Sequence, residues 1–205
     1  MVIRELKPSQ RVEGRWLAFL DDGTILRLGE NQVIDFALYA GKELNEEESA
    51  ALQDSARRST LKGKSIELLS RKPLSRRELE RKLTQWEADE EETTSICDRM
   101  EELGYLNDAA YAERVVRHYN AKGYGQRKLR DELYRRGVPR NLWDEALKQV
   151  ESPDGALDDF VAKKLAGKQP GQKELKKVSD ALARRGYNWS DISAALRRYG
   201  AECDE

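Results

Sequence analysis

The chain has 205 residues, of which 37% are charged and only 7% are aromatic, and its mean hydropathy is −0.83. This thin supply of apolar residues argues against one thick core and favours slim helical units with large solvated surfaces. The formal net charge of −1 excludes a uniformly basic or acidic protein, so attraction to a charged partner has to come from local charge patterning.

The sequence predicts a small β element in residues 1–44. The runs 15–20 and 24–28 are rich in strand-forming residues and are joined by Asp-Asp-Gly, a frequent signal of a β-hairpin turn. Residues 2–6 and 33–36 have similar compositions, and we expect them to add edge strands to this hairpin.

Residues 45–106 are predicted to form a long helix followed by a first helical repeat. A capping box, in which a side-chain acceptor is followed three residues later by Glu, begins at Asn45 and again at Ser75. The predicted helices are 46–70, 75–86 and 93–103, with the acidic stretch 87–92 as a loop or helix entry.

Residues 107–151 and 152–205 are predicted to form a second and a third three-helix repeat, joined by a Ser-Pro-Asp-Gly linker at 152–155 and followed by a tail. Helix boundaries follow from capping residues, glycines and Pro139. The predicted helices are 108–122, 126–136 and 139–150 in the second repeat, and 156–166, 172–185 and 190–199 in the third.

The second half of the chain repeats itself. The run Gly-Gln-Arg-Lys-Leu at 125–129 returns as Gly-Gln-Lys-Glu-Leu at 171–175, and Arg-Arg-Gly at 135–137 returns at 184–186. A period of about 45–50 residues is typical of helical arrays in which each unit packs against its neighbour. The repetition favours an extended binding surface over a catalytic pocket.

These signals together predict a mainly α fold, with three tandem three-helix repeats and a small N-terminal β element. The first repeat is the most divergent copy of the three. Its Ile96 aligns with Trp143 and Ile192 of the later copies. Because each residue begins an apolar stripe at helical spacing, we expect all three to be buried in the third helices of their repeats.

The sequence contains no recognisable catalytic or cofactor motif. It has no Walker loop, no HExxH and no GxSxG, and its one histidine, His118, is interpreted as a partly buried structural residue. We therefore expect no enzymatic activity, no cofactor and no metal site. No apolar run approaches the roughly 20 residues that span a bilayer, and no signal peptide is evident at the N-terminus, so we expect a cytoplasmic protein.

Basic residues recur in the middle helix of each repeat, chiefly in its first turn. A cation there opposes the helix dipole, which favours negative charge at a helix N-terminus by about 0.3–1 kcal/mol. The recurrence therefore suggests a partner that supplies negative charge, such as DNA, RNA or an acidic protein groove. The candidate partner-binding residues are Arg76, Arg77, Arg127, Lys128, Arg130 and Lys173.

Four stretches in a fixed order resemble the RecX family of regulatory proteins. They read SRRELERKL at 75–83, LGYLNDAAYA at 103–112, KGYG at 122–125 and LRDELYRRGV at 129–138. The motifs cover residues 60–150 well, and the third repeat matches more loosely. No single stretch is decisive, but four in the right order are specific.

The resemblance implies a small bacterial cytoplasmic protein built from tandem three-helix repeats. It further implies a partner, the RecA filament on DNA, whose helical groove such proteins bind and whose ATPase and strand-exchange activities they typically restrain. The resemblance implies no enzymatic activity of the protein itself. We expect a monomer, and the six basic residues are the candidates for the surface that faces the filament.

Two other functions stay open on the sequence alone. The chain could be a helical nucleic-acid-binding protein without a recombinase partner, or a protein–protein scaffold that uses its acidic and basic faces. Salt dependence separates these functions, because plain phosphate binding weakens by about one log–log slope unit for each neutralised phosphate. Binding that depends on RecA would instead require the filament.

Overall fold

The structure, a computed structural model, describes residues 1–148, 150, 154–166 and 171–199. The first residues of the predicted linker, 152–153, and the tail beyond residue 199 lie outside this range. Most of the described residues are helical, and a three-stranded sheet lies near the N-terminus. The predicted fold class, mainly α with a small N-terminal β element, is confirmed.

The chain forms two compact units. The first contains Met1–Lys72 and Glu80–Tyr105, and the second contains Pro73–Leu79 with the chain from Leu106 onward. The division therefore falls inside the region predicted as the first helical repeat. Each unit has its own apolar core.

The N-terminal sheet of the first unit is antiparallel, in the order β1 (Ile3–Pro8), β2 (Arg15–Leu20) and β3 (Ile25–Gly29). The predicted hairpin is formed by β2 and β3, and the predicted strand at residues 2–6 corresponds to β1. Side chains alternate between the two faces of a strand, and one face of this sheet carries the buried Ala18 and Leu28. The other face is open to solvent.

Residues 33–36, predicted as an edge strand, lie instead in and just after a short helix, α1 (Glu30–Asp35). Gln32 Oε1 accepts a hydrogen bond from the Gly29 N–H at 2.8 Å, which satisfies a donor at the start of this helix. Val33 and Phe36 are three residues apart, and both pack against the N-terminal core. The strand prediction was wrong because these apolar residues follow helical spacing.

Helix α2 (Glu46–Arg71) confirms the predicted long helix. Asn45 Oδ1 accepts the Glu48 N–H at 2.8 Å, and Glu48 Oε2 accepts the Asn45 N–H at 3.1 Å, as the capping box requires. The buried Leu52 and Ala56 belong to the same core cluster as the inner face of the sheet. The first half of α2 thus closes the N-terminal core.

Two shorter helices follow, α3 (Arg76–Gln85) and α4 (Glu90–Glu102). Of the acidic stretch 87–92, predicted as a loop or helix entry, residues 90–92 form the first turn of α4, and Asp89 caps the helix by accepting the Glu92 N–H at 2.8 Å. Glu92 is almost fully buried and forms an ion pair with Arg57. The negative charge of Glu92 therefore stabilises the N-terminus of α4 and also forms the ion pair between α2 and α4.

The second unit contains the helices of two repeats, each with its own core cluster. Every helix predicted there is present, with ends shifted by at most about two residues. The helices are α5 (Asp108–Asn120), α6 (Gln126–Arg135), a short 3-10 helix (Arg140–Leu142) leading into α7 (Trp143–Lys148), α8 (Asp154–Leu165), α9 (Gln172–Arg184) and α10 (Trp189–Arg198).

The three aligned apolar residues are not equally buried. Ile96 and Ile192 are buried as predicted, with 6% and 1% of their surface exposed. Trp143 is only partly buried. Its indole Nε1 donates a hydrogen bond to the Val138 carbonyl at 2.9 Å, and the Arg140 guanidinium lies 5.8 Å from the ring centroid. A polar edge keeps this side chain at the rim of the core.

Helix ends in the second unit meet at two places, which we call the first and the second joint. At the first joint, residues 136–137 after α6 lie against residues 75–77 at the start of α3. At the second joint, residues 185–186 after α9 lie against residues 125–128 at the start of α6. The Arg-Arg-Gly motif that recurs in the sequence therefore ends one helix and contacts the start of another.

Only glycine fits the last position of this motif. Gly137 and Gly186 have φ angles of +72° and +91°, in the region that other residues avoid. A Cβ on Gly186 would lie 2.4 Å from the Lys128 backbone nitrogen, and a Cβ on Gly137 would lie 2.5 Å from the Arg77 Cβ. Both the turn and the close approach thus exclude a side chain.

We expect Gly125→Ala to destabilise the second unit more than Gly171→Ala does. Both glycines cap a middle helix with similar extended backbone angles, so the change in capping is shared. A Cβ at Gly125 would lie 2.5 Å from backbone atoms of Gly186, whereas the one atom of the described residues that a Cβ at Gly171 would meet is at the end of the Glu174 side chain. The extra loss should be about 1–3 kcal/mol, measured by urea unfolding. Equal losses would contradict the close second joint.

Candidate partner-binding surface

All six candidate basic residues lie in the second unit. Arg76 and Arg77 are in the first turn of α3, and Lys173 is in the first turn of α9. Arg127, Lys128 and Arg130 belong to α6. The structure brings the α6 residues together on one helix, but gives them different surroundings.

The start of α6 is capped by backbone carbonyls from the end of α9. The Gly125 N–H donates to the Arg185 carbonyl at 2.9 Å, and the Arg127 N–H donates to the Gly186 carbonyl at 3.1 Å. The negative end of the α9 dipole thus faces the positive end of the α6 dipole. The carbonyl oxygens at the end of α9 attract and stabilise cations near the start of α6. The unfavourable position of these cations on the dipole of α6 therefore does not by itself require an external anion.

The start of α3 uses a related arrangement. The Ser75 hydroxyl donates to the Arg136 carbonyl after α6, and the Arg76 N–H donates to Asp108 Oδ1 at 2.8 Å. The aliphatic stem of Arg77 lies over Gly137. Arg76 and Arg77 therefore help to form the first joint, while the Arg77 side chain is exposed overall.

A buried carboxylate, Glu132, collects cations on the inner side of α6. Its carboxylate lies 3.4 Å from Lys128 Nζ and forms a close ion pair with Arg135. Burial by itself raises the pKa of Glu132, but the contacts of Arg135, Tyr119 and Lys128 outweigh burial and lower this pKa. Lys128 is thus engaged within the unit.

A second polar group links Tyr111 to the first joint. The Tyr111 hydroxyl donates to Glu78 Oε2 at 2.7 Å and accepts from Arg136 Nη1 at 2.8 Å. Burial and the neighbouring Glu78 raise the pKa of Tyr111 to about 12. At the second joint, Arg185 takes the position of Arg136 and lies 4.5 Å from the centroid of the Phe160 ring. Each joint thus pairs an arginine with an aromatic residue, through a hydrogen bond to the Tyr111 hydroxyl at the first and through the face of the Phe160 ring at the second.

The outer side of α6 presents a different set of residues, which we call the open face. Arg127, Arg130 and Tyr134 follow one another at helical spacing, so they share one side of α6. Tyr134 is 67% exposed. Arg127 and Arg130 also line a cleft of about 550 Å³, together with one carboxylate, Asp131, and with Asn188 and Trp189 at the start of α10. Trp189 is 57% exposed.

Charge on the open face is only weakly neutralised. Arg130 Nη2 lies 3.3 Å from Asp144 Oδ1, and both side chains are largely exposed, so this ion pair contributes little stability. Arg127 is exposed, as is Lys173 on α9. The open face thus combines accessible guanidinium groups with accessible aromatic rings.

Sequence reasoning missed Tyr134 and Trp189. Tyr134 could have been found from its spacing to Arg127 and Arg130 on a predicted helix. Trp189 comes from a different helix, and nothing in the sequence placed it beside α6. The interpretation of His118 as partly buried was wrong, because the residue is exposed, with its ring edge-on to Tyr119 at 5.3 Å.

The described residues contain no group of three His, Cys, Asp or Glu side chains arranged to hold a metal ion. Among the helices of this part of the chain, none is both long and apolar enough to cross a membrane.

Two family models match the chain. The model of the RecX first three-helix domain matches residues 62–100, and that of the RecX second three-helix domain matches residues 107–147. The first match begins within α2 and includes all of α3. The second includes the open face of α6.

Named relatives match along nearly the whole chain. A regulatory protein RecX from Clostridioides difficile (strain 630) is 25% identical over 203 residues, covering 96% of this chain and 95% of the relative. A regulatory protein RecX from Streptococcus pneumoniae (strain Hungary19A-6) is 26% identical over 208 residues, covering 100% of this chain and 80% of the relative.

Solved structures share the fold. A crystal structure of regulatory protein RecX superposes with a TM-score of 0.76 at 23% identity, covering 96% of this chain and 98% of that one. The crystal structure of RecX from Lactobacillus salivarius gives a TM-score of 0.63 at 22% identity, covering 70% of this chain and 97% of that one.

We expect Tyr111→Phe to lower the free energy of unfolding by about 1–3 kcal/mol at neutral pH, because Glu78 and Arg136 each lose a hydrogen bond. The pKa of Tyr111 is raised from 10.0 to about 12 in the folded state. The hydroxyl therefore stabilises the fold below about pH 10, and this contribution is lost as pH rises towards about 12. Urea unfolding across this range should show the gap between wild type and variant closing.

The exposed Tyr134 provides the matched control. Tyr134→Phe should leave the free energy of unfolding at neutral pH unchanged. If Tyr111→Phe behaved in the same way, the polar link to the first joint would contribute nothing to stability.

Proposed function

Because the chain belongs to the RecX family, we propose that it is a regulatory protein of the RecA recombinase. In this proposal the second unit binds along the helical groove of the RecA–DNA filament. Binding there inhibits ATP hydrolysis and strand exchange by the filament, in recombination, DNA repair and the SOS response. The protein itself has no catalytic activity and acts as a monomer in the cytoplasm, where the filament forms.

The observation that carries this proposal is the open face of α6. Arginine, tyrosine and tryptophan are the residues most enriched at the energetic centres of protein interfaces. Arg127, Arg130, Tyr134 and Trp189 bring these residue types onto one accessible surface of the second unit. A surface of this composition supports a large partner better than it supports a small substrate.

The positive charge of these exposed side chains supports a negatively charged partner. The DNA within the filament is a dense polyanion, and exposed guanidinium groups match phosphate and carboxylate groups with two parallel hydrogen bonds. Arg77 and Lys173 add exposed positive charge in the first turns of the other two middle helices. Exposed charges of this kind act mainly on the association rate and its salt dependence.

The remaining two residues of the predicted set have a double role in the proposal. Arg76 and Lys128 are half-buried, and both lie at the joints, where they help to hold the middle helices. Their contribution to binding is therefore partly indirect, through the placement of the neighbouring exposed residues. A test of the surface should leave these two side chains intact.

The proposal is tested by reversing the charge of the open face in the full chain. Arg127→Glu with Arg130→Glu should raise the protein concentration needed to inhibit RecA-dependent ATP hydrolysis by at least about tenfold, or about 1.4 kcal/mol. Thermal unfolding should change little, because both side chains are exposed and their ion pairing is weak.

The matched control reverses Arg114 and Arg117 of α5, which are exposed in the same unit and give the same change in net charge. Inhibition by this control should equal that of wild type. Unchanged inhibition by the folded Arg127→Glu/Arg130→Glu variant would exclude the open face, and faster ATP hydrolysis with the wild-type protein would contradict inhibition.

A further inference from the structure

The solvent-facing side of the N-terminal sheet has no role in the proposed function. Strand pairing places Leu17 of β2 directly between Lys7 of β1 and Arg27 of β3. The next row on this outer face places Phe19 between Glu5 of β1 and Ile25 of β3. The outer face therefore combines cations and apolar side chains with one carboxylate, at strand spacings of about 4.8 Å.

Four cations line one cleft on this face. A cleft of about 600 Å³ on this face is lined by Lys7, Arg11, Arg15 and Arg27, and no acidic side chain of the described residues lines it. Outside the cleft, Glu5 lies 3.0 Å from Lys7 Nζ, with both side chains about half exposed. Glu13 and Glu67 line a neighbouring cleft together with Arg15 and Arg27. The excess of cations is therefore confined to the cleft that contains Lys7 and Arg11.

The apolar residues on this face distinguish it from an ordinary solvated sheet face. An antiparallel sheet that is open to water on one side normally carries polar residues there. In this sheet Ile25 is 50% exposed, and Leu17 and Phe19 are only partly buried. Lys7 Nζ lies 4.5 Å from the centroid of the Phe19 ring, so cation and ring are close enough to contact one ligand.

We propose that this outer face binds single-stranded nucleic acid, with phosphates on the cations and bases on the apolar residues. Arginine forks match phosphate geometry, and aromatic rings on an exposed sheet are a platform on which unpaired bases stack. A duplex hides its bases in the stack and would use only the cations. The occupant is therefore single-stranded, and its binding requires no RecA.

The test measures binding of a labelled thymidine oligonucleotide of about 15 nucleotides to the full chain by fluorescence anisotropy, without RecA. Lys7→Glu with Arg27→Glu should weaken binding at least about tenfold. It should also reduce the log–log salt slope by about 1.4, because each phosphate contact on a single strand contributes about 0.7. Phe19→Leu, which keeps an apolar side chain, should weaken binding roughly fivefold without changing this slope.

The matched control is Lys72→Glu with Lys82→Glu, which changes the net charge equally at exposed positions of the first unit outside the sheet. This variant should bind like the wild type, and circular dichroism should show all variants folded. Three results would each overturn the proposal: no binding by the wild type, equal weakening by the control, or loss only in Arg127→Glu/Arg130→Glu. Displacement of the oligonucleotide by polyglutamate at equal charge would instead assign the face to acidic peptides.

The assay contains no RecA, so its outcome is independent of the inhibition experiment. If the wild-type protein binds the oligonucleotide but does not affect ATP hydrolysis by RecA, the sheet face is supported as a binding site and the proposed regulation is excluded. If the protein inhibits ATP hydrolysis but does not bind the oligonucleotide, regulation through α6 is supported and the sheet face is excluded as a binding site.

Discussion

The second unit depends on contacts between the ends of its helices. At the second joint, backbone carbonyls at the end of α9 accept hydrogen bonds from the first N–H groups of α6, so two sets of otherwise unpaired groups satisfy each other. The first joint repeats this contact with Ser75 as the donor. Each motif ends in glycine because a side chain there would collide with Arg77 at the first joint and with the Lys128 backbone at the second. The recurrence of Arg-Arg-Gly in the sequence is thus the mark of a packing contact.

This geometry changes the interpretation of the cations at the start of α6. From the sequence, Arg127 and Lys128 oppose the dipole of their own helix and call for an external anion. In the structure, the carbonyls of Arg185 and Gly186 supply the compensating negative charge, and Glu132 engages Lys128. The side of α6 on which a cation lies decides whether a partner can reach it. Arg127 and Arg130 lie on the outer side of α6, whereas Lys128 lies on the inner side.

Local signals made most of the fold predictable, and contacts distant in sequence account for the rest. The capping box at Asn45 and the Asp-Gly hairpin act within a few residues, so composition was enough to place them. The strand prediction for residues 33–36 was wrong because a short apolar run fits either a strand or a helix. The hydrogen bond from the Gly29 N–H to Gln32 Oε1 favours the helix. The pairing of α6 with Trp189 and the basic outer face of the sheet depend on tertiary contacts, which no local pattern encodes.

The near-neutral net charge is compatible with two positively charged surfaces. The chain has 37 basic and 38 acidic residues, yet a partner responds to charges within a screening distance of about 8 Å at physiological salt. Much of the acidic charge lies at helix starts, as in the first turns of α2 and α4, where it stabilises those helices. The described side chains that line the sheet cleft include four cations and no carboxylate. Those that line the cleft beside α6 include Arg127 and Arg130 against Asp131, so both linings are positive. Total charge governs solubility, and local arrangement governs which polyanion is bound.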